Sequence, residues 1–522
     1  MNKFGIIFVF VLFLSVIVEA QERPYWVVFK DKSGCSFHPL DYFDSKAIVR
    51  RLANNLSLID SVDFPLNESY IEKVSAMVLD TLGQSRWLNS LAVLANPGQI
   101  EKVRQLYFVK AIVPICSHAQ VCEMDEVDIL SQEQKSLLKM QLERMQGEVF
   151  WNNQINGKGK RIAVLDGGFP NVDVHEAFEK IREDDRIIKT WDFVKKSDFV
   201  YAYSSHGTSV LSNIAGIVDG KPMGLATQAE FLLARTEVNT EPFREEIYWM
   251  QAMEWADKNG ADIISSSLGY TYHRYFPSDM DGQQSLVSKA AVIAARKGIL
   301  VVTAMGNDGD NSWKTLGAPA DADSVLSVGG IRPDTDIHIG FSSFGPTADK
   351  RRKPNVVAYG KALVAGKIGY NIAQGTSFST PLVAGFAACA WQCRPQLTAM
   401  QILAEIEKSG HLYPYFDYAH GYGVPQAGYF VYGADSTNVK SGFKIITEDN
   451  QLKVLLSDTC LPNISFGSDL LYYHIENKNG FVEKYEVLQV FSKVPLEFNK
   501  MKFDKGQKLV VYYRGCCRSY TF

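Results

Sequence analysis

The stretch "KRIAVLDGGF", residues 160–169, holds a run of apolar residues that ends in an aspartate and two glycines. A strand that carries apolar side chains on both faces is typical of a parallel sheet covered on both sides. Runs of the same kind recur at "FLLARTE", "ADIISSS", "GILVVTA" and "SVLSVGG", and helix-like stretches such as "EEIYWMQAMEWADKNG" lie between them. This alternation predicts an α/β domain over residues 147–435, with a mostly parallel sheet and helices on both faces.

Different patterns flank this domain. Residues 21–122 indicate a small α+β module, because the strand-like stretches "PYWVVFK" and "FVKAIVPI" enclose a helix that starts at "PGQIEKVRQLY". Residues 123–146 are polar and charged, which is typical of a connector. Residues 436–522 alternate strand-like segments with Asn/Gly turns and predict a small all-β module.

Residues 1–20, "MNKFGIIFVFVLFLSVIVEA", have the pattern of a secretory signal peptide. One lysine precedes an apolar run, and small residues frame a cleavage site before Gln21. The run is too short to span a bilayer comfortably. We therefore expect an exported protein that is secreted, periplasmic or at the cell surface, with no integral membrane span once the signal is removed.

Composition narrows the class of partner. The formal net charge is −4 and no basic run is present, which argues against nucleic acid as the main partner. The eight cysteines are compatible with disulfides in an exported protein, but the sequence does not assign their pairing.

Four polar residues stand at the ends of predicted elements of the α/β domain. Asp166 follows one buried strand, and Asn307 in "VVTAMGNDGD" follows another. His206 in "SSHGTSVLSNIAGI" and Ser377 in "GTSFSTPLVAG" each stand where a small-residue helix begins. Taken alone, Asp166 and Asn307 are more typical of a turn and His206 of a cap or a packed residue, whereas for the Ser377 segment a helix cap and a functional role are equally favoured. Because chemistry in such sheets collects at the carboxyl ends of the strands, the joint occurrence predicts a site.

The four residue types together suit acyl transfer. A serine is a weak nucleophile unless a base removes its proton, and a histidine does this well only when a carboxylate fixes its tautomer. An asparagine amide and a backbone N–H at a helix start can both donate to the oxyanion that forms. The neighbouring hydroxyls of Thr376, Ser379 and Thr380 are expected to cap and pack the helix start.

Three motifs in this order, "AVLDGG", "HGTSVLSNIAG" and "GTSFSTPLVAG", resemble the Asp, His and Ser signatures of the subtilisin-like serine proteases, or subtilases. The resemblance covers about residues 147–433. It implies that Asp166, His206 and Ser377 form a catalytic triad and that Asn307 completes the oxyanion hole with the Ser377 N–H. The implied activity is that of an endopeptidase, which hydrolyses protein or peptide substrates through an acyl-enzyme.

The resemblance also implies a substrate cleft. In "SSSLGY" and "AMGNDG", the residues that would pair with the substrate backbone and wall the primary pocket are Ser267, Leu268, Gly269, Ala304, Met305 and Gly306. The chain departs from the family pattern at Ser209, where a second histidine is usual, and at Asn355 and Tyr359, where aspartate and proline are usual.

No cofactor and no metal are predicted. The calcium loops of well-known relatives are not recognisable in this sequence. The acidic pairs Asp308/Asp310 and Asp321/Asp323 are only weak candidates for a calcium site.

The N-terminal module resembles, more loosely, the inhibitory propeptide of the family. This resemblance implies that the module is an intramolecular inhibitor and that self-cleavage falls between Cys116 and Ser131. A retained structural domain is the alternative.

Two rival functions remain on the sequence alone. A catalytically silent subtilase fold could act as a binding module, although the intact set of four residues argues against it. A peptide ligase or cyclase on the same scaffold would join products instead of hydrolysing them. For the C-terminal module, a carbohydrate- or surface-binding domain, an export signal and a cap on the fold all stay open.

Overall fold

The computed structural model describes residues 22–115, 130–238, 244–271, 274–433, 442–456, 469–490 and 495–522. The predicted signal peptide of residues 1–20 lies outside these ranges, as does most of the predicted cleavage region.

The N-terminal module is an antiparallel sheet with helices, as the sequence predicts. Its four strands lie in the order β2-β3-β1-β4. The elements are β1 (Arg23–Phe29), α1 (Pro39–Tyr42), α2 (Ser45–Ala53), α3 (Glu68–Ser75), β2 (Asp80–Ser85), β3 (Ser90–Ala95), α4 (Pro97–Arg104) and β4 (Val109–Pro114).

The central α/β domain contains the stretch that opened the sequence analysis, as strand β5. The elements from the connector onwards are α5 (Gln132–Glu143), α6 (Gly147–Asn152), β5 (Arg161–Asp166), α7 (Glu179–Glu183), β6 (Ile187–Asp192), α8 (His206–Ala215), β7 (Ile217–Val218), β8 (Lys221–Pro222), β9 (Glu230–Arg235), α9 (Glu245–Lys258), β10 (Ile263–Ser266), α10 (Leu286–Arg296), β11 (Leu300–Ala304), β12 (Val325–Ile331), β13 (Val356–Tyr359), β14 (Lys361–Ala365), β15 (Tyr370–Gln374), α11 (Thr376–Cys393), α12 (Ala399–Ser409) and α13 (Ala427–Tyr432).

The predicted parallel sheet is confirmed. Seven strands lie in the order β13-β12-β11-β10-β5-β9-β6, and every neighbouring pair in this sheet is parallel. All six residues of β5 are buried. Ile162 and Val164 pack with α8 and α11 on one face, whereas Ala163 and Leu165 pack with α9 and α10 on the other. The alternation of side chains along a strand therefore fills two separate hydrophobic layers.

The sheet of the N-terminal module packs on α9 of the central domain. Its outward side chains Val27 and Val93 form a core with α3 and α4, while Trp26 and Ala92 join the hydrophobic layer around α9. A Cβ on Gly83 would lie 2.7 Å from Ile247 of α9, so the glycine allows this strand to pack closely against the helix. The connector helix α5 packs on the other layer, where Gln141 bonds the backbone of Met223 and Leu363.

The C-terminal module is all-β, as predicted. Its strands form a three-stranded antiparallel sheet, β16-β17-β20, and a four-stranded one, β19-β18-β21-β22. A hydrophobic core lies within the module, and a second cluster joins it to Leu412 and Tyr415 of the central domain. The elements are β16 (Phe443–Glu448), β17 (Gln451–Leu456), β18 (Leu470–Glu476), β19 (Val482–Gln489), β20 (Leu496–Asn499), β21 (Lys508–Tyr513) and β22 (Cys516–Thr521).

Candidate active site

The structure brings Asp166 and His206 into direct contact at the carboxyl edge of the sheet. Asp166 is the last residue of β5 and is fully buried, and His206 is the first residue of α8. The His206 Nδ1 atom lies 2.9 Å from each carboxylate oxygen of Asp166. Because Nδ1–H donates to the carboxylate, Nε2 is left as the free basic nitrogen of the imidazole. The side chain of His206 is 20% exposed, so that nitrogen can meet a substrate.

The pKa of His206 is raised above its usual value. Burial alone would lower it, because desolvation disfavours the charged ring. The negative charge and hydrogen bond of Asp166 outweigh burial, and the charge of Glu237 acts in the same direction. The carboxylate thus stabilises the imidazolium form that a general base becomes.

Ser377 lies in the first turn of α11, next to Phe378. The ring of His206 packs against the neighbouring Phe378, with centroids 5.6 Å apart. The Ser377 hydroxyl donates to the carbonyl of Ser267 at 3.2 Å, and the Ser267 hydroxyl donates back to the Ser377 carbonyl at 2.8 Å. The Ser377 side chain is therefore hydrogen-bonded to the residue that follows β10. To give its proton to His206, the hydroxyl would have to leave the Ser267 carbonyl and turn towards the imidazole.

Asn307 faces the same point from the loop after β11. Its side-chain oxygen accepts hydrogen bonds from the N–H of Thr376 at 2.9 Å and from the Thr376 hydroxyl at 3.0 Å. These two donors fix the amide orientation and turn its NH₂ group the other way.

Gly375 keeps the space in front of that NH₂ group open. Its φ of +147° lies in a region that favours glycine. A Cβ on this residue would lie 3.4 Å from Asn307 Nδ2 and 3.7 Å from the Ser377 nitrogen. Two hydrogen-bond donors therefore border one small open space beside the serine.

The prediction that Thr376, Ser379 and Thr380 cap the helix is wrong, although all three pack as expected. The N-cap residue of α11 is Gly375, which has no side chain to act as a cap. The side-chain oxygen of Asn307, from a distant loop, accepts the hydrogen bond of the Thr376 N–H instead. Ser379 and Thr380 are fully buried and donate to the carbonyls of Tyr359 and Thr376. A cap that comes from 69 residues away leaves no local signal in the sequence.

The predicted substrate-binding residues stand at the carboxyl ends of the neighbouring strands β10 and β11. Ser267 is buried and Gly269 is exposed, with nothing within 4 Å of the position of a Cβ on Gly269. Leu268, between them, is half-buried. In the loop after β11, Gly306 has a φ of +106°, and a Cβ there would lie 2.9 Å from the Ser343 hydroxyl.

The other two predicted wall residues are less accessible than Gly306. Ala304 is 5% exposed. The Met305 side chain is fully buried in a small cluster with Leu316 and Ala320. The Met305 N–H donates to Val328 and its carbonyl accepts from Gly317, so neither its side chain nor its backbone is open to a ligand in this structure.

The departures from the family pattern have structural roles. The Ser209 hydroxyl donates to the carbonyl of Ala365 at 2.8 Å and is buried within α8. Tyr359 donates to Asp336, and Asn355 bonds Glu407 and the Ser327 N–H.

Sequence reasoning passed over the charged residues that end β9. Arg235 and Glu237 stand in the quoted run "FLLARTE" and lie at the same sheet edge as Asp166. Glu237 accepts a hydrogen bond from Tyr270, which directly follows the predicted substrate strand. Burial raises the pKa of Glu237 and of the nearby Glu245, and the charge of Glu237 raises the pKa of Glu245 further. The position of Arg235 and Glu237 at the end of an apolar strand is the sequence signal that could have identified them as part of the site.

No group of three His, Cys, Asp or Glu residues suited to a metal ion occurs within the described ranges. The acidic pairs singled out in the sequence have protein partners. Asp321 is fully buried and accepts hydrogen bonds from Gly282 and Ser288, and Asp308 accepts one from Asn311.

Comparison with known proteins identifies two family models in the chain. The subtilase family model matches residues 157–423. The model described as the peptidase S8 propeptide domain of Bacteroidota matches residues 24–128. The N-terminal module is thus a propeptide domain by this comparison.

Individual relatives agree with the family models. The chain is 28% identical to serine protease AprX of Bacillus subtilis over 336 residues, which cover 57% of this chain and 72% of the relative. It is 30% identical to an intracellular serine protease of Paenibacillus polymyxa over 266 residues, 50% of this chain and 75% of the relative. A solved structure of a cold-adapted subtilisin-like serine proteinase matches with 24% identity and a TM-score of 0.40, covering 49% of this chain and 84% of that one.

Within the described ranges, no helix combines the length and the apolar character needed to cross a membrane.

Proposed function

The chain belongs to the subtilase family of serine proteases, and we propose that it cleaves peptide bonds with Ser377 as nucleophile, His206 as base and Asp166 as the residue that orients the base. The observation that carries this proposal is the contact of both Asp166 carboxylate oxygens with His206 Nδ1 at 2.9 Å. That contact leaves Nε2 as the base, on the ring that packs against the residue following the serine.

The proposed reaction has two acyl-transfer steps. His206 Nε2 takes the Ser377 hydroxyl proton as the oxygen attacks the peptide carbonyl, and then returns the proton to the leaving amine. The Asn307 amide and the Ser377 N–H donate to the tetrahedral oxyanion in the space that Gly375 leaves open. Water, activated by the same histidine, then hydrolyses the acyl-enzyme and restores the free serine.

The substrate would enter as an extended strand between the two sides of the cleft. Exposed backbone at Gly269 suits pairing with an extended peptide, because an exposed edge offers unpaired N–H and C=O groups. Leu268 and the turn at Ala304, Met305 and Gly306 would border the pocket for the side chain before the scissile bond.

Labelling with a fluorophosphonate probe tests this assignment. The wild-type enzyme is expected to be labelled and to hydrolyse peptides, whereas Ser377→Ala is expected to do neither. Ser379→Ala is the matched control, since Ser379 is buried two residues away and bonds a backbone carbonyl. A correctly folded wild type that takes up no probe would overturn the proposed activity, and joined peptides instead of hydrolysed ones would indicate a ligase.

The propeptide domain is proposed to inhibit the enzyme until it is cut. Its last described strand, β4, leads into the buried Ile115, and the chain resumes at Leu130 within the central domain. Glu254 of α9 holds the module by accepting hydrogen bonds from the Ser85 hydroxyl at 2.6 Å and from the Arg86 and Trp87 backbone at 3.1 Å. Such buried contacts would keep the module docked while the linking segment is cleaved.

N-terminal sequencing of the active enzyme tests the propeptide role. The mature chain is expected to begin between Cys116 and Ser131, and Ser377→Ala is expected to keep the module attached. Active enzyme that begins at Gln21 would contradict the proposal. Export is proposed from residues 1–20, and the same sequencing of the uncut Ser377→Ala protein from the extracellular fraction would detect the signal cleavage.

A further inference from the structure

Arg235 occupies a buried position beside the proposed catalytic dyad. It is the last residue of β9 and pairs in register with Asp166, the last residue of β5. Only 4% of the residue is exposed. A buried arginine needs partners for its charge and its five N–H donors, so its contacts define its role.

The guanidinium is oriented by a buried carboxylate at the end of the next strand. Arg235 Nη1 lies 2.9 and 3.2 Å from the two oxygens of Asp192, which is fully buried at the end of β6. One of these oxygens also accepts the backbone N–H groups of Val194 and Lys195. Since two backbone N–H groups hold the carboxylate independently of Arg235, the carboxylate can orient the guanidinium.

The same guanidinium reaches the loop that follows Asp166. Its Nε donates to the carbonyl of Gly167 at 3.1 Å. The backbone of β5 and β9 is held together further by the Thr236 N–H, which donates to the Asp166 carbonyl at 2.8 Å. The peptide directly after the carboxylate is therefore anchored to Arg235.

One face of the guanidinium packs on Tyr203, in the loop that leads to His206. Its central carbon lies 3.5 Å from the centroid of the Tyr203 ring, at cation–π distance. Tyr203 has a φ of +75°, which is unusual for an aromatic residue, and its backbone bridges to Gly168. Two residues separate this strained tyrosine from His206, and one of them, Ser204, accepts a hydrogen bond from the His206 N–H at 3.3 Å.

We propose that Arg235 is a positioning residue that holds the loop after Asp166 and the loop before His206 against each other, and so sets the geometry of the proposed dyad. The inference rests on the proposed function for the identity of the dyad. Arg235 itself does not contact substrate in this scheme. A planar side chain is needed because one face must stack on Tyr203 while the edge bonds Gly167 and Asp192.

Arg235→Lys tests the proposal while keeping the positive charge. A lysine can pair with Asp192, but it lacks the planar fork that bonds Gly167 and stacks on Tyr203 at once. We expect kcat per active site, titrated with fluorophosphonate, to fall about ten- to hundredfold with KM changed less than about threefold. Arg186→Lys is the matched control. This buried arginine stands just before β6, at the end of the strand opposite to Asp192, and donates to the carbonyls of Ala229 and Lys180.

A second readout does not depend on catalysis. In the Ser377→Ala background, NMR titration of His206 follows its pKa directly. Arg235→Lys is expected to lower that pKa, since a displaced Asp166 supports the imidazolium less. The charged groups that raise the pKa of His206, Asp166 and Glu237, are unchanged in this variant.

The outcomes separate the proposal from the proposed function. If wild type is not labelled but Arg235→Lys still shifts the His206 pKa, the function fails and the positioning role stands. If kcat per titrated site and the pKa both match wild type, the positioning role is overturned. Should Arg235→Lys fold poorly, Tyr203→Leu replaces it, with a loss of kcat expected that Tyr203→Phe largely avoids because the aromatic face is kept. Equal losses in both tyrosine variants would contradict the stacking argument.

Discussion

Replacement of Asn307 by alanine removes one of the two donors that border the proposed oxyanion space. The structure separates two tasks of this side chain, since its NH₂ group faces the site and its oxygen caps Thr376 at 2.9 Å. Loss of one oxyanion donor costs about 3–4 kcal/mol of barrier. That converts to a fall in kcat of about 10²- to 10³-fold. Because the ground-state carbonyl gains little from this donor, KM should hardly change.

The lost cap predicts a separate and smaller effect on stability. Removal of an N-cap acceptor costs about 1 kcal/mol, which should lower Tm by a few degrees in a domain of this size. Asn311→Ala is the matched control, because Asn311 is exposed in the same loop and bonds Asp308 instead of facing the site.

Steady-state kinetics on titrated enzyme, with thermal unfolding of the same samples, measures both effects. A loss of kcat below about fivefold for Asn307→Ala would refute the assignment of its amide to the oxyanion. An equal loss in Asn311→Ala would instead assign the effect to disturbance of the loop.

Three further changes test other parts of the structure. Glu237→Gln should lower the raised pKa of His206, so that a smaller fraction of the base is protonated at any given pH and the acid limb of the kcat/KM profile moves to lower pH. A limb that stays in place or moves to higher pH would contradict the inferred charge effect. Gly375→Ala should reduce kcat by more than about 10²-fold, because its Cβ would enter the oxyanion space and its φ is unfavourable for alanine; unchanged kinetics would show that the space lies elsewhere. Arg51→Met removes one cation from two buried carboxylates, Asp257 at 2.6 Å and Asp63 at 2.7 Å, which keep Arg50 and Lys297 as partners. The uncut protein should therefore lose about 1.5–3 kcal/mol in denaturant unfolding, whereas breaking the exposed pair in Arg332→Met should leave the unfolding midpoint nearly unchanged.

Much of the fold could be predicted because its signals are local. The apolar runs before Asp166 and before Asn307 are short, continuous and bounded by turn residues, and each forms a strand of the parallel sheet. Strands buried on both faces are apolar along nearly their whole length, so a run of consecutive apolar residues predicts such a strand. The small-residue helix after Ser377 carries the same kind of signal, since nearly all of α11 is buried.

The sequence by itself determined which residues are candidates for the site, because the parallel sheet brings the ends of its strands to one edge. Only the tertiary structure decided how they are held: Asn307 caps a helix that starts 69 residues later, and Arg235 bonds Gly167 across 68 residues. It also placed the Met305 side chain in the core instead of the cleft. Capping, stacking and ion pairing between distant segments depend on how layers pack, and such contacts leave no periodic pattern in the chain.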